Sequence, residues 1–233
     1  MNIYPKDLKC IYSKPGSLEL VSAVGGKASL DDFTWVVLFS GGKDSTAALL
    51  RSLDLGLPIS RVIYVEVVGN THRLNIDYVY WVSRRLNVPL VHLRTPIDFS
   101  EGLRRWGKPL TKRNRWCMRM KIDTALKYIR MNLRPPVILV DGIKVKDSKH
   151  RASYLPKLIR GSEYYLVVGS RRIPIFRKTF NMFSCCIIYD WSTDDVWSYI
   201  RSVDPDVYSR LKFIYDTLGN SGSCIKCPLV DKL

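Results

Sequence analysis

Apolar and polar positions fall into blocks along most of the chain. Trp35-Val-Val-Leu-Phe39 is a short unbroken apolar run, the pattern of a strand buried on both faces. Ser40-Gly-Gly-Lys-Asp-Ser45 follows as a tight turn, and Thr46–Leu53 reads as the start of a helix. Arg61–Val68 is a second β-rich run. Ile76, Val79, Tyr80, Val82 and Leu86 recur at helical spacing. Pro89–Leu93 is a short third strand, a helix covers Met118–Met131, and Val137–Val140 is a fourth strand. Tyr164–Val168 and Arg172–Phe176 flank Gly169-Ser170 as a hairpin. Ser192-Thr-Asp-Asp195 is a capping box leading into Val196–Ile200, and Val207–Leu218 is a further helix. Residues 1–32, with Pro5, Pro15, Gly16, Gly25 and Gly26, read as an arm or small hairpin before a domain spanning 33–233.

Strands alternating with helices imply right-handed crossovers and a mainly parallel sheet, hence the α/β class. Ligands of such sheets bind outside the carboxyl ends of the strands. Four features fall at or beside such ends: the turn at 40–45, the loop after Val67, the loop after Val140, and the segment around Cys117.

Composition narrows the class. The chain has 233 residues, 46% apolar and 25% charged, which suits a folded domain and excludes wholesale disorder. No apolar run approaches the ~20 residues that span a bilayer, and MNIYPKDLKC lacks an apolar signal core. A cytoplasmic protein without a membrane partner is expected.

The charge of +16 points to an anionic partner. It is unevenly spread. Leu103–Arg134 holds 11 basic residues and one acid, and Lys144–Lys178 holds 10 basic and two acids. The rest of the chain is close to neutral.

In the turn, paired glycines let backbone N–H groups approach an anion, and the following helix adds its N-terminal dipole. Ser40, Gly41, Gly42, Lys43, Asp44 and Ser45 are therefore candidate phosphate ligands. Asp44 suits capping, or holding Lys43 or a metal ion. The G-x-x-x-x-G-K spacing of a Walker A loop is absent.

SGGKDS after a buried strand resembles the PP-loop of the adenine nucleotide alpha hydrolase superfamily. Further segments resemble the phosphoadenosine phosphosulfate (PAPS) reductase family within it. They are Val65-Glu-Val-Val-Gly-Asn-Thr71, Arg115-Trp-Cys-Met-Arg-Met-Lys121, Asp141–Arg151, Asp190-Trp-Ser-Thr-Asp-Asp-Val-Trp197 and the C-terminal Cys224-x-x-Cys227-Pro228. The resemblance covers roughly 34–229. It implies a Rossmann-like adenine nucleotide alpha hydrolase fold and an adenine nucleotide ligand: ATP, adenosine phosphosulfate (APS) or PAPS. It also places Glu66, Gly69, Asn70 and Thr71 near the ribose or base, and Gly142, Lys144, Ser148 and Arg151 at the anionic end. Lys144 stands where the family often has arginine, so it can neutralise an anion but not fork onto it.

Iron–sulfur relatives carry a tandem Cys-Cys before a basic stretch, plus a C-terminal Cys-x-x-Cys. Here Trp116 aligns with the first of the tandem and Cys117 with the second. Cys117, Cys224 and Cys227 are thus candidate ligands of a cluster or zinc. A fourth thiolate could be Cys185 or Cys186, with Cys186 taken as the ligand. The competing reading makes Ser184-Cys-Cys-Ile-Ile-Tyr189 a buried strand with cysteine as a small hydrophobe. Sulfonucleotide reductases of the family also carry a catalytic cysteine on a Glu-Cys-Gly tail, whereas this sequence stops at Leu233, six residues after Cys227. Either another cysteine takes that part or the chain is not a true reductase.

Lys43, Asp44 and Cys117 are the expected catalytic residues. Three functions remain: reduction or transfer of a nucleotide's sulfur group with a thiol reductant protein; Mg²⁺-assisted cleavage of ATP to adenylate an acceptor such as tRNA or DNA, held by segments 103–134 and 144–178; and nonenzymatic nucleotide binding. Trp106 and Trp116, set among basic residues, could stack bases or simply anchor their segment.

Overall fold

The computed structural model describes residues 18–108, 115–179 and 181–225. The chain forms β1 (Leu18–Ser22), β2 (Lys27–Ala28), β3 (Thr34–Leu38), α1 (Lys43–Asp54), β4 (Ile59–Glu66), α2 (Arg73–Arg85), β5 (Leu90–Arg94), α3 (Phe99–Trp106) and α4 (Trp116–Asn132). It continues with β6 (Val137–Val140), α5 (Lys149–Arg160), β7 (Ser162–Val168), β8 (Arg171–Thr179), β9 (Met182–Cys185), α6 (Thr193–Val203) and α7 (Pro205–Leu218).

One nine-stranded sheet runs β2-β1-β7-β8-β9-β6-β3-β4-β5. Neighbours from β9 through β5 are parallel, and β2, β1, β7 and β8 extend the sheet antiparallel. The β7–β8 hairpin lies where the sequence predicts it. β1 and β2 pair with each other and, through β1, with β7.

Strand alternation sorts the core into two layers. Trp35 and Val37 of β3, Val62 and Tyr64 of β4, and Ile138 and Val140 of β6 face one side, where α1, α2, α6 and α7 cover them. Val36, Ile63, Val137 and Leu139 face the other, where Ala125 and Ile129 of α4 pack. Both faces of the parallel core are therefore buried, which explains the unbroken apolar runs.

Helix ends follow their capping chemistry. The expected capping box starts α6: Asp195 N–H donates to Ser192 Oγ at 3.0 Å, and Ser192 N–H donates to Asp195 Oδ2 at 2.7 Å. Asp204 accepts from the N–H groups of Asp206 and Val207 at the start of α7 and takes a bidentate bond from Arg85 at 2.7 and 2.9 Å.

Two expectations are corrected. The basic stretch after β6 is not a flexible loop: it holds a 3-10 turn at Val145–Asp147 and then α5, capped by Ser148. The strand carrying the cysteines ends at Cys185, and Cys186 begins a buried turn in which Tyr189 N–H bonds Cys186 O.

Among the described residues, no helix is long and apolar enough to cross a membrane.

Candidate functional site

β3 is the pivot of the parallel core. The chain moves from it to β4 and β5 on one side, then returns to β6 and β9 on the other. A crevice outside the strand ends is expected at such a reversal. The turn leaving β3 and the loop leaving β6 meet there. A Cβ on Gly142 would lie 2.6 Å from the Asp44 carbonyl carbon and 2.8 Å from Ser45 N, so only glycine admits this contact.

The turn from Ser40 to Ser45 is tightly knit. Gly41 has φ +72°, and a Cβ there would stand 2.4 Å from Asn75 Nδ2. Buried Ser45 accepts from Ser40 N–H at 3.1 Å and donates to Gly42 O at 3.0 Å. Gly42 caps α1 without a side chain of its own. The Lys43 N–H donates to Tyr215 Oη at 3.2 Å.

Charged groups chain together above this turn. Lys43 Nζ bonds Asp44 Oδ2 at 2.8 Å, and Lys144 Nζ bonds the other oxygen, Oδ1. Lys144 also lies 3.1 Å from Asp147 Oδ1, and Arg151 pairs with Asp147. Lys144 is 1% exposed, so its ammonium is desolvated and paired to two carboxylates. The structure thus gathers Lys43, Asp44, Gly142, Lys144 and Arg151 into one constellation and adds Asp147. Ser148 stands beside it, its hydroxyl accepting from Arg151 N–H to cap α5.

The loop after β4 is mainly self-bonded. Glu66 Oε2 lies 2.9 Å from His92 Nε2 and 3.5 Å from Arg94 Nε, so its carboxylate is turned toward β5. Thr71 Oγ1 accepts from Val67 N–H and donates to Val67 O. Gly69, at φ +74°, leaves room for the Asp98 carboxylate that caps α3. Asn70 is buried, and its carbonyl accepts from Ile225 N–H at 2.8 Å.

That last bond belongs to a strap, residues 220–225, lying across the loop and the turn. His72 N–H donates to Gly222 O at 2.8 Å, Lys121 Nζ reaches Ser223 O at 3.5 Å, and Asn75 Nδ2 donates to Ser221 O at 2.8 Å. The same amide reaches Ser40 O at 3.3 Å, while Asn75 Oδ1 accepts from Tyr64 Oη at 2.8 Å. Burial pushes the Tyr64 phenol pKa up, which keeps it a donor. Asn75 therefore ties turn, strap and β4 together. Sequence reasoning missed Asn75 and Tyr215, because nothing local marks either as a tertiary partner of the turn. Asp147 was visible as the acid within a basic run.

The cysteines separate. Cys117, in the first turn of α4, packs with Val67, Phe99 and Met120 and is half-buried, as is Cys224 in the strap. Cys227 lies outside the described residues. Cys186, taken from the sequence as a ligand, is corrected: it packs with Leu155 and Phe176, away from the Cys117 cluster. Burial first, and Asp141 second, push its thiol up. Among the described residues no three His, Cys, Asp or Glu side chains form a metal-holding group. Each of the two Asp44 carboxylate oxygens meets a lysine ammonium.

The chain is similar to solved structures that include PAPS reductase from Candida auris in a phosphate complex, at 12% identity and TM-score 0.42, covering 72% of this chain and 71% of that one. An NMN synthetase from Francisella tularensis matches at 13% identity and TM-score 0.49, covering 82% and 68%. A U34-tRNA thiolase from Methanococcus maripaludis with its 4Fe-4S cluster matches at 12% identity and TM-score 0.46, covering 87% and 73%. No curated protein matches the sequence. The model of the phosphoadenosine phosphosulfate reductase domain matches residues 34–228, and the chain belongs to that family.

Proposed function

We propose that the protein is an enzyme that binds an adenine nucleotide, ATP, APS or PAPS, with its anionic end on the turn from Ser40 to Ser45, and that it reduces or transfers the nucleotide's sulfur group. The observation that carries this reading is the meeting of the glycine turn, the N-terminus of α1 and the β6 loop at the reversal of strand order. The N-terminal dipole of α1 and Lys43 both stand at this turn, and positive ends of that kind suit a phosphate or sulfate. Gly142 and the Lys144–Asp44 pair hold the β6 loop against the turn.

Reduction needs a thiolate to attack the sulfonate sulfur. An S–S bond forms, the S–O bond to phosphate breaks, and the nucleotide leaves with the electron pair. A thiol of a reductant protein then attacks the cysteine sulfur, forming a disulfide and releasing sulfite. Among the described cysteines, Cys117 and Cys224 have the exposure for this, and Cys185 and Cys186 do not.

A second reading is favoured by the basic segments. The nucleotide would be ATP, cleaved to pyrophosphate while a nucleic-acid acceptor is adenylated for sulfur insertion. Calorimetry with ATP, APS and PAPS on anaerobically prepared protein tests the shared claim. Lys43→Ala should weaken binding roughly tenfold or more, the scale of a lost charge-assisted hydrogen bond. Unchanged affinity would remove the phosphate assignment. Pyrophosphate release that requires added tRNA or DNA would select the second reading, and sulfite release from APS or PAPS the first.

A further inference from the structure

α4 has a second stripe that does not face the sheet. Arg119, Asp123 and Lys127 line a groove of about 770 Å³ together with Trp116 at its base, Trp106 of α3 and Arg94 at the end of β5. β5 is the last strand on this side of the sheet, so the groove opens beyond the sheet's edge. Its floor is rigid. Trp116 is 8% exposed, its ring centroid lies 5.2 Å from that of Phe99, and its indole N–H donates to Gly107 O at 2.9 Å. Trp106 stands 5.5 Å from Trp116 and is 47% exposed.

A half-open indole in a groove that two guanidinium groups and one ammonium also line suits a π-face joined to an anion. Nucleobases linked by phosphodiesters have that chemistry. The cations continue past the groove: Arg115 and Arg130 are exposed near the two ends of α4, within the segment that carries 11 basic residues against Asp123 alone. A lone nucleotide would leave these unmatched, whereas a polynucleotide would follow them. A duplex keeps its base faces stacked, which leaves nothing for Trp106 to cover.

We propose that this groove binds a single-stranded polynucleotide, with one unpaired base on Trp106 and flanking phosphates on Arg94, Arg119 and Lys127. The proposal rests on the second reading above and adds the place and manner of acceptor contact.

Fluorescence anisotropy of the full chain with labelled short oligoribocytidine and oligodeoxycytidine tests it, the two arms separating an RNA from a DNA partner. Binding should weaken with salt, and Trp106→Ala should weaken it roughly tenfold. Trp106→Phe should restore most of the affinity, and Arg119→Glu should lower it again. ATP affinity of Trp106→Ala, read by calorimetry, should stay at the wild-type value, which also shows that the variant is folded. Wild-type affinity for oligonucleotide in Trp106→Ala, or equal binding of a duplex, overturns the proposal. If the protein binds ATP but no oligonucleotide, the groove proposal falls and the nucleotide site stands. If it binds oligonucleotide through Trp106 but no nucleotide, the groove stands and the nucleotide site falls.

Discussion

Asn75 is fully buried and makes three side-chain hydrogen bonds to three separate parts of the chain. Truncating it leaves the Tyr64 hydroxyl and two carbonyls without their partner. Asn75→Ala should therefore cost about 1–3 kcal/mol in urea unfolding, the scale of an unsatisfied buried polar group. Asn75→Asp should do no better, because a carboxylate cannot donate to Ser40 O and Ser221 O. Wild-type stability in either variant would show that the amide is not the tie described here. Asn75 also explains the constraint on Gly41, where a side chain would collide with that amide. The glycines, Lys43 and Asp44 were legible in the sequence because a local motif carries them. Asn75 and Tyr215 were not, because their roles arise only where α2 and α7 meet the turn.

At the scale of elements, the sequence marks best those whose pattern is uninterrupted. β3, β6 and β7 lie at or within two residues of the predicted spans, β8 runs three residues past its expected end at Phe176, and the capping box of α6 forms as read. α3 was missed because it spans only eight residues and carries Gly102, whose bare Cα lets the Trp116 ring lie against it. α5 was missed because charges dominate its surface and Pro156 sits inside it, both of which read locally as loop. Caps also set the acid response. The bond from the Ser192 N–H, and next the Ser192 hydroxyl, hold the Asp195 carboxyl below the usual range, and Arg177 does the same for Glu163. A carboxyl lowered by folding contributes stability that is complete above its unfolded pKa of about 4 and is lost as pH falls through the lower folded value. Unfolding free energy should thus decline below about pH 4, and Asp195→Asn should flatten part of that decline. An identical pH slope in the variant would contradict the capping role.

Across the whole molecule, burial divides the thiols. Cys185 and Cys186 are fully buried, and desolvation pushes both up, whereas Cys117 and Cys224 are half-buried on the side of the strap. Alkylation of the native protein followed by peptide mass mapping should label Cys117 and Cys224 and spare Cys185 and Cys186 until denaturant is added. Rapid native labelling of Cys186 would reopen its candidacy as a metal ligand. The two basic segments seen in the sequence also prove unequal in space. One supplies α4 and its groove, and the other supplies the Lys144 and Arg151 pairs beside the turn.

The buried lysine has a consequence for how the site responds to its ligand. Lys144 already holds Asp44 and Asp147, so under the proposed function an arriving phosphate or sulfate competes with two carboxylates for the three N–H donors of one buried ammonium. The energy that drives capture is then a difference between two ion pairs, each largely shielded from dissolved salt. Occupancy of the turn should accordingly be read out as a change in the grip between the β6 loop and α1, the two segments that meet at the reversal of the sheet.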